Sequence, residues 1–310
     1  MTRGLLFHRD FQGFTGGHGK VFDYFRHTEG HPLWTPAIHF SAGAAHPENP
    51  WRQAGIVGDS SWQPDQADAL FLAGIDWRQW PEDDVKRPVI NLIQHVRHAD
   101  ADAGADVHGF LSRPAIRVCV SAPVADAILA TGKVRGPVQV IDAALDVPAL
   151  GSSGERHVDV VVAATKQPAL GRAIAARLES DGMRVKLLDG WYPKREYLAF
   201  VSEARIAVCL PHRTEGFYLP ALEAMALGCA VVVPDCLGNR AYVQDRINAL
   251  VPEFTIEAIV AAVAALRDGD LHQALVRRGA STAERFGQAR EREAFHRLLD
   301  ELDGLWKEAW

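Results

Sequence analysis

Two short apolar runs, residues 205–210 (RIAVCL) and 229–233 (CAVVV), each have the length of a buried strand and each end at a proline, Pro211 and Pro234. Between them, residues 219–227 place Leu219, Leu222, Met225 and Ala226 on one face at helical spacing. Pro220 suits the first turn of that helix, and Gly228 stands where a C-terminal glycine belongs. Strand, glycine-containing loop, helix, strand is a βαβ crossover, and a βαβ crossover requires a parallel sheet. The chain is therefore expected to be α/β.

Two carboxylates occupy telling positions in this unit. Glu215 lies in the loop at the carboxyl end of the first strand, where open α/β sheets bind ligands, and Glu223 lies in the first turns of the helix. The amides of Gly216, Phe217, Tyr218 and Leu219 open the helix, and their dipoles suit a phosphate. A loop carboxylate can reach a sugar and a helix carboxylate a ribose diol. Spacing alone supports equally a helix-start acid at 223 and a solvated acid at 215.

The nine residues EGFYLPALE (215–223), continued through AMALGCAVVVPD to Asp235, resemble the E-x7-E signature of retaining GT-B glycosyltransferases, most closely family 4, the glycosyl transferases group 1. The resemblance implies two Rossmann-like parallel-sheet domains facing across a cleft, with a C-terminal helix crossing back to the first domain. It also implies transfer of a hexose-like sugar from a nucleotide-diphosphate donor to an acceptor hydroxyl, without metal or cofactor. Glu215 would orient the donor sugar and Glu223 hold the ribose, while Gly216, Phe217, Tyr218 and Leu219 contact the donor. The family carries glycine where this chain has Tyr218. In the family, an Arg and a Lys six positions apart neutralise the diphosphate; Lys166 and Arg172 keep that interval with identities exchanged. A 2-epimerase of sugar nucleotides and a non-catalytic nucleotide-sugar-binding subunit are the alternatives on the same scaffold.

The 310 residues suffice for two domains, each with its own core. A net charge of −6 gives no drive toward phosphate backbones and excludes a general nucleic-acid binder. No apolar segment approaches the ~20 residues of a membrane span, and the start, MTRGLLFHRD, reads as a first strand rather than a signal peptide. A cytoplasmic protein, at most peripheral to a membrane, is expected. Cys119, Cys209, Cys229 and Cys236 lack C-x-x-C spacing and read as reduced core thiols.

In the first half, strands are expected at residues 4–8, 33–40, 67–72, 88–93, 115–120 and 136–141. A glycine-rich loop precedes a helix starting at Val21; its FTGG (14–17) resembles the GT-B Gly-Gly loop, which places Gly16 and Gly17 over the donor phosphates. His95 follows a strand directly and matches a family histidine near the acceptor and the pyrophosphate, with a structural histidine as the alternative. His95-x-x-His98 lacks further ligands, and Asp100-x-Asp102 reads as a solvated acidic loop rather than a GT-A cation site, so no metal is expected. Exposed tryptophans at 51, 62, 77 and 80 suit either sugar stacking or a small core. The linker is expected at residues 148–154, dividing an acceptor-side domain (1–150) from a donor domain (155–287). Residues 288–310 form one amphipathic helix packing back on the first domain. The expected partners are a nucleotide-sugar donor and an acceptor that is a sugar, glycan, lipid-linked or small-molecule hydroxyl.

Overall fold

The computed structural model describes residues 2–59, 61–80, 86–100, 102, 109–147 and 156–309. The expected linker lies outside these residues, as does most of the acidic stretch after Asp102. The chain divides into two compact units, Met1–Ala143 with Ala289–Trp310, and Ala144–Gln288.

Unit 1 contains β1 (Arg3–Asp10), α1 (Gly16–Glu29), β2 (Trp34–Ala42), α2 (Pro50–Gln53), β3 (Ala69–Ala73), β4 (Val89–Ile93), β5 (Ile116–Cys119), α3 (Ala122–Leu129) and β6 (Val138–Val140). The six strands are all parallel, in the order β2-β1-β3-β4-β5-β6. The chain reverses its direction of winding between β1 and β3, which makes that pair the switch point of the sheet. Ser121 caps α3 as its position predicts, its hydroxyl accepting from the Val124 amide.

α1 begins five residues earlier than the glycine content suggests. The Thr15 hydroxyl accepts from the His18 amide, and this cap outweighs the conformational cost of glycine in the first turns. Of the two readings of the tryptophans, the small core holds for three. Trp51 and Trp80 are buried, Trp51 among Phe22, Phe25 and Phe40, and Trp77 stacks on Phe110. Filling a core that the short strands leave incomplete accounts for these three.

Unit 2 contains β7 (Val158–Ala163), α4 (Pro168–Ser180), β8 (Val185–Leu188), α5 (Lys194–Ser202), β9 (Ala204–Cys209), α6 (Leu219–Ala226), β10 (Ala230–Val232), α7 (Ile256–Ala265) and α8 (Gly269–Glu284). Its parallel sheet runs β10-β9-β7-β8, with the switch point between β7 and β9. Alternate strand residues feed two cores. Val161, Ala207 and Val231 pack with Leu222 and Met225 on one face, and Val160, Val208 and Val232 with Ile174 and Ile259 on the other. Burial on both faces explains the apolar runs at the carboxyl halves of β7 and β9, whereas β8, at the edge, carries Lys186 and is only partly buried.

After α8 the chain returns to unit 1 as α9 (Gln288–Asp300) and α10 (Leu302–Lys307), two helices where one was expected. Phe295 packs edge-on against Tyr24, centroids 4.8 Å apart. Beside it, the buried Glu291 carboxylate receives Lys20 Nζ at 3.0 and 3.2 Å and His27 Nε2 at 2.9 Å. Burial alone would raise this carboxyl, but Lys20 and His27 hold it below its ordinary value. Arg3–Asp303 and His31–Asp300 add surface ties to the same helices.

All four cysteines are free and buried. Burial pushes Cys119 and Cys236 up to about 12 and Cys229 to about 11, which keeps them protonated and inert. Among the described residues no helix is long and apolar enough to cross a membrane.

Candidate functional site

In unit 2 the loops that leave β7 and β9 meet at the switch point. The Leu210 amide donates to Ala163 O at 3.0 Å, which joins the two strand ends. Beyond it, Gln167 Nε2 donates to Pro211 O at 3.4 Å, and Lys166 Nζ stands 3.8 Å from Glu215 Oε1. Lys166 is half exposed and Glu215 mostly buried, with side-chain exposures of 52% and 15%. The separation is loose for an ion pair, so each group keeps capacity for a further partner.

The turn Leu237–Asn239 backs this loop. Leu237 N donates to Arg213 O at 3.1 Å and Tyr218 N to Gly238 O at 3.0 Å. A Cβ at Gly238 would lie 2.9 Å from Glu215 O, Phe217 N and Tyr218 N, so only glycine permits so close a backing. The Tyr218 amide, expected to meet a phosphate, is thus already engaged. Its ring does not reach a sugar pocket either: it is buried in the core, and the Tyr242 hydroxyl donates to Tyr218 O. A large aromatic finds more favourable burial there than at an open loop.

α6 starts at Leu219 with Pro220 in its first turn and ends before Gly228, whose φ of 75° is the left-handed conformation that glycine adopts without strain. Glu223, in its second turn, is 7% exposed. Among the described residues its carboxylate accepts no hydrogen bond. Burial raises its pKa; Lys194, paired with Asp146 at 3.0 Å, pulls the other way, and Asp146 adds to the rise. An ionisable group so nearly buried, with no protein donor on its carboxylate, marks a candidate site in unit 2.

Arg172 takes a different course from its expected companion. On α4, it is exposed and donates to Asp189 Oδ2 at 2.6 Å, just beyond β8, whereas Lys166 faces Glu215. Trp191, 56% exposed, stands in the same loop after β8, whose Gly190 O accepts from Thr165 Oγ1 at 3.0 Å.

In unit 1, Gly16 and Gly17 form the first turn of α1 rather than a free loop, and Gln94 Nε2 donates to Gly17 O at 3.3 Å. His95 caps the short turn Val96–Ala99, its Nδ1 accepting from the Arg97 amide at 3.0 Å. His98 is buried, and burial, helped by Arg97, His95 and Arg117, lowers it to about 3. Asp100 Oδ1 accepts from the Asp102 amide at 2.9 Å, a local turn bond. Among the described residues no three His, Cys, Asp or Glu side chains converge to hold a metal ion.

The sequence did not reveal a second polar cluster, at the β1/β3 switch point. Asp76, in the turn after β3, receives Arg9 at 2.5 Å and His8 Nδ1 at 3.3 Å, and Arg9 also bonds His18 Nδ1 at 3.0 and 3.2 Å. Burial and the Arg9 charge lower His18 to about 4, so it is neutral and accepts from the guanidinium. The only sequence signal is polar residues at a strand's carboxyl end, and their partner lies 67 positions away.

The family model for glycosyl transferases group 1 matches residues 125–268. Full-length structural matches include the Anabaena protein Alr3699/HepE in complex with UDP-glucose, at 14% identity and a TM-score of 0.71, covering 97% of this chain and 100% of that one. Sucrose-phosphate synthase of Thermosynechococcus elongatus aligns at 14% identity and TM-score 0.71 over 97% and 99% of the two chains. A glycosyltransferase of Rickettsia africae aligns at 10% identity and TM-score 0.68 over 97% and 98%. The fold is GT-B. Its two parallel sheets correspond to the two Rossmann-like domains of that fold, and the group 1 match covers most of the second. No curated protein sequence matches the GT-B chain significantly.

Proposed function

We propose that this GT-B protein is a retaining glycosyltransferase that moves a hexose-like sugar from a nucleotide-diphosphate donor to an acceptor hydroxyl without a metal. The observation that carries the reading is Glu223: a nearly buried carboxylate on the second turn of α6 that no described protein donor reaches. A ribose diol supplies the two hydroxyl donors such a group lacks, and pairing would offset the burial that raises its pKa. Supporting it are the group 1 match over this unit and the UDP-glucose held by the Anabaena neighbour.

In this reading Glu215 orients the donor sugar, and Lys166, 3.8 Å away, stabilises the charge that develops on the departing diphosphate. Arg172 joins it by releasing Asp189. Gly216 and Phe217, at the opening of α6, face the phosphates, and Trp191 offers an exposed ring for the base. In unit 1, the first turn of α1 with Gly16 and Gly17 contributes amides, and His95 serves the acceptor. The leaving phosphate oxygen takes the acceptor's proton, so rate comes from positioning and fixed charge.

Thermal unfolding with UDP, GDP, ADP, CMP and dTDP, each with and without Mg²⁺, tests this. One nucleotide at about a hundred times its dissociation constant should stabilise the protein by about 2.7 kcal/mol, without metal, and Glu223→Gln by only about 0.4–1.4 kcal/mol at the same concentration. A panel in which no nucleotide raises the melting temperature overturns the reading.

A further inference from the structure

The amino ends of the unit 2 strands, away from the loops just described, carry a cavity of about 220 Å³ lined by Arg156, Arg205, Arg277, His272 and Gln273 with Gly228 and Val276. Three guanidiniums and an imidazole share this recess in a protein whose net charge is −6. Local charge opposed to the overall charge is not general basicity, because it needs a particular arrangement.

That arrangement is built in. Arg156 donates to Ala204 O, to Leu227 O at 2.5 Å and to Cys229 Sγ at 3.5 Å, which fixes its guanidinium across the C-terminus of α6. Gly228 makes room for it, since a Cβ there would lie 3.0 Å from Arg156 Nη2. His272, on the first turn of α8, bonds Arg205 O through Nε2 at 3.2 Å. A carbonyl only accepts, so Nε2 carries the proton and Nδ1 keeps its lone pair.

Among the described residues no carboxylate lines the recess. The described acids nearby have other partners. Asp159 accepts three bonds from Arg184, at 2.9, 3.1 and 2.8 Å, although it also feels the Arg205 charge. Glu203 faces His157, and Asp268 accepts from the amides of Asp270 and Leu271 at the start of α8. Arg205 and Arg277 are exposed, and neither is in an ion pair within 4.0 Å among the described residues. The crowding of positive charge registers on His272, whose pKa is lowered by burial and then by Arg205 and Arg156, against the Arg205 carbonyl that raises it.

We propose that this recess binds a small soluble phosphorylated anion, with Arg205 and Arg277 as its charge partners and Arg156 and His272 as its floor. Guanidinium groups bind phosphoryl oxygens in paired, charge-assisted hydrogen bonds, and protonation of His272 Nδ1 adds one more. The volume falls below the ~300 Å³ at which sites for drug-sized ligands begin, so one phosphoryl group fits and a nucleotide sugar does not. β9 alone, Ala204–Cys209, at ~3.3 Å per residue puts roughly 20 Å between this recess and the Glu215 loop. The site is therefore separate from the donor site and independent of the function proposed above.

The test follows the His272 ring by NMR while inorganic phosphate is added, with chloride at matched ionic strength as the control. Wild type should give a saturable shift with phosphate only and a raised ring pKa, because a bound anion favours imidazolium. Arg205→Ala/Arg277→Ala, which alters two exposed side chains and should leave the melting temperature unchanged, should weaken that response at least about tenfold. Lys166→Ala should leave it intact, since the donor loop takes no part. A phosphate response no larger than that of chloride, a double variant that responds like wild type, or a response confined to anionic lipid vesicles overturns the proposal.

Discussion

The two switch points use polar residues in opposite ways. At β1/β3, Asp76, Arg9, His8 and His18 pair among themselves in nearly full burial, with His8 Nε2 alone of their ring nitrogens enclosed without a partner. At β7/β9, Lys166 and Glu215 approach only to 3.8 Å, and Glu223 is buried with no hydrogen-bond partner. A network in which the charged groups are all paired, with one ring nitrogen left over, stabilises its unit, while charged groups left with spare hydrogen-bonding capacity are free to take a ligand. The same strand-end geometry thus serves structure in one unit and, in our reading, chemistry in the other.

The sharpest way to break this contrast is Asp76→Ala. It strands Arg9 and His8 in near-complete burial, and losing one partner of a buried pair costs about 3–5 kcal/mol. Urea unfolding measures it, and a loss under about 1 kcal/mol would make the β1/β3 cluster no more structural than a surface pair.

Glu215→Ala addresses the other side. Turnover should fall by about 10²–10³, or about 2.7–4 kcal/mol, while the dissociation constant of the donor stays within about threefold. Calorimetry on the variant separates the two, and unchanged turnover removes Glu215 from the chemistry.

Much of this was legible in the sequence. The inner strands β3, β4, β5 and β9 are announced by largely apolar runs, because they are covered on both faces, whereas the edge strands β2, β6 and β8 carry polar residues and are only partly buried. Glu215, Glu223 and the helix between them follow from spacing and punctuation. What the sequence concealed depends on distant partners or on local competition. Asp76 meets Arg9 only once β1 and β3 are adjacent, and Tyr218 turns inward because Tyr242 and the Gly238 carbonyl receive it. The start of α1 was masked by its glycines, since capping by Thr15 competes with their entropy and wins. Arg172 shows what an interval leaves out: six positions from Lys166 do not disclose that its guanidinium lies on Asp189.

Glu223→Gln should separate ligand binding from stability. The amide keeps the shape and removes a charge that burial disfavours, so stability should hold within about 1 kcal/mol or rise. Donor nucleotide affinity should nevertheless fall about 10- to 100-fold, the worth of about 1.5–3 kcal/mol for a charge-assisted bond. If affinity survives, the buried acid belongs to the core and not to a ribose.

The smallest effect is in the acid limb of stability, where two buried glutamates act with opposite sign. Glu291 has its folded pKa lowered, so its contribution is present above the ordinary glutamate value and is lost as pH falls through the folded value. Glu223 has its folded pKa raised, so acidification through the window above the ordinary value relieves a strain and adds stability. Each group can change the slope by at most about 1.4 kcal/mol per pH unit. Urea midpoints measured from pH 7 downward should therefore fall less steeply in Glu291→Gln than in wild type, although that variant starts lower because Lys20 and His27 lose their partner. In Glu223→Gln they should fall more steeply, because the offsetting gain is gone. Parallel acid limbs in the two variants would mean that the closed cluster around Glu291 and the open site around Glu223 do not differ electrostatically.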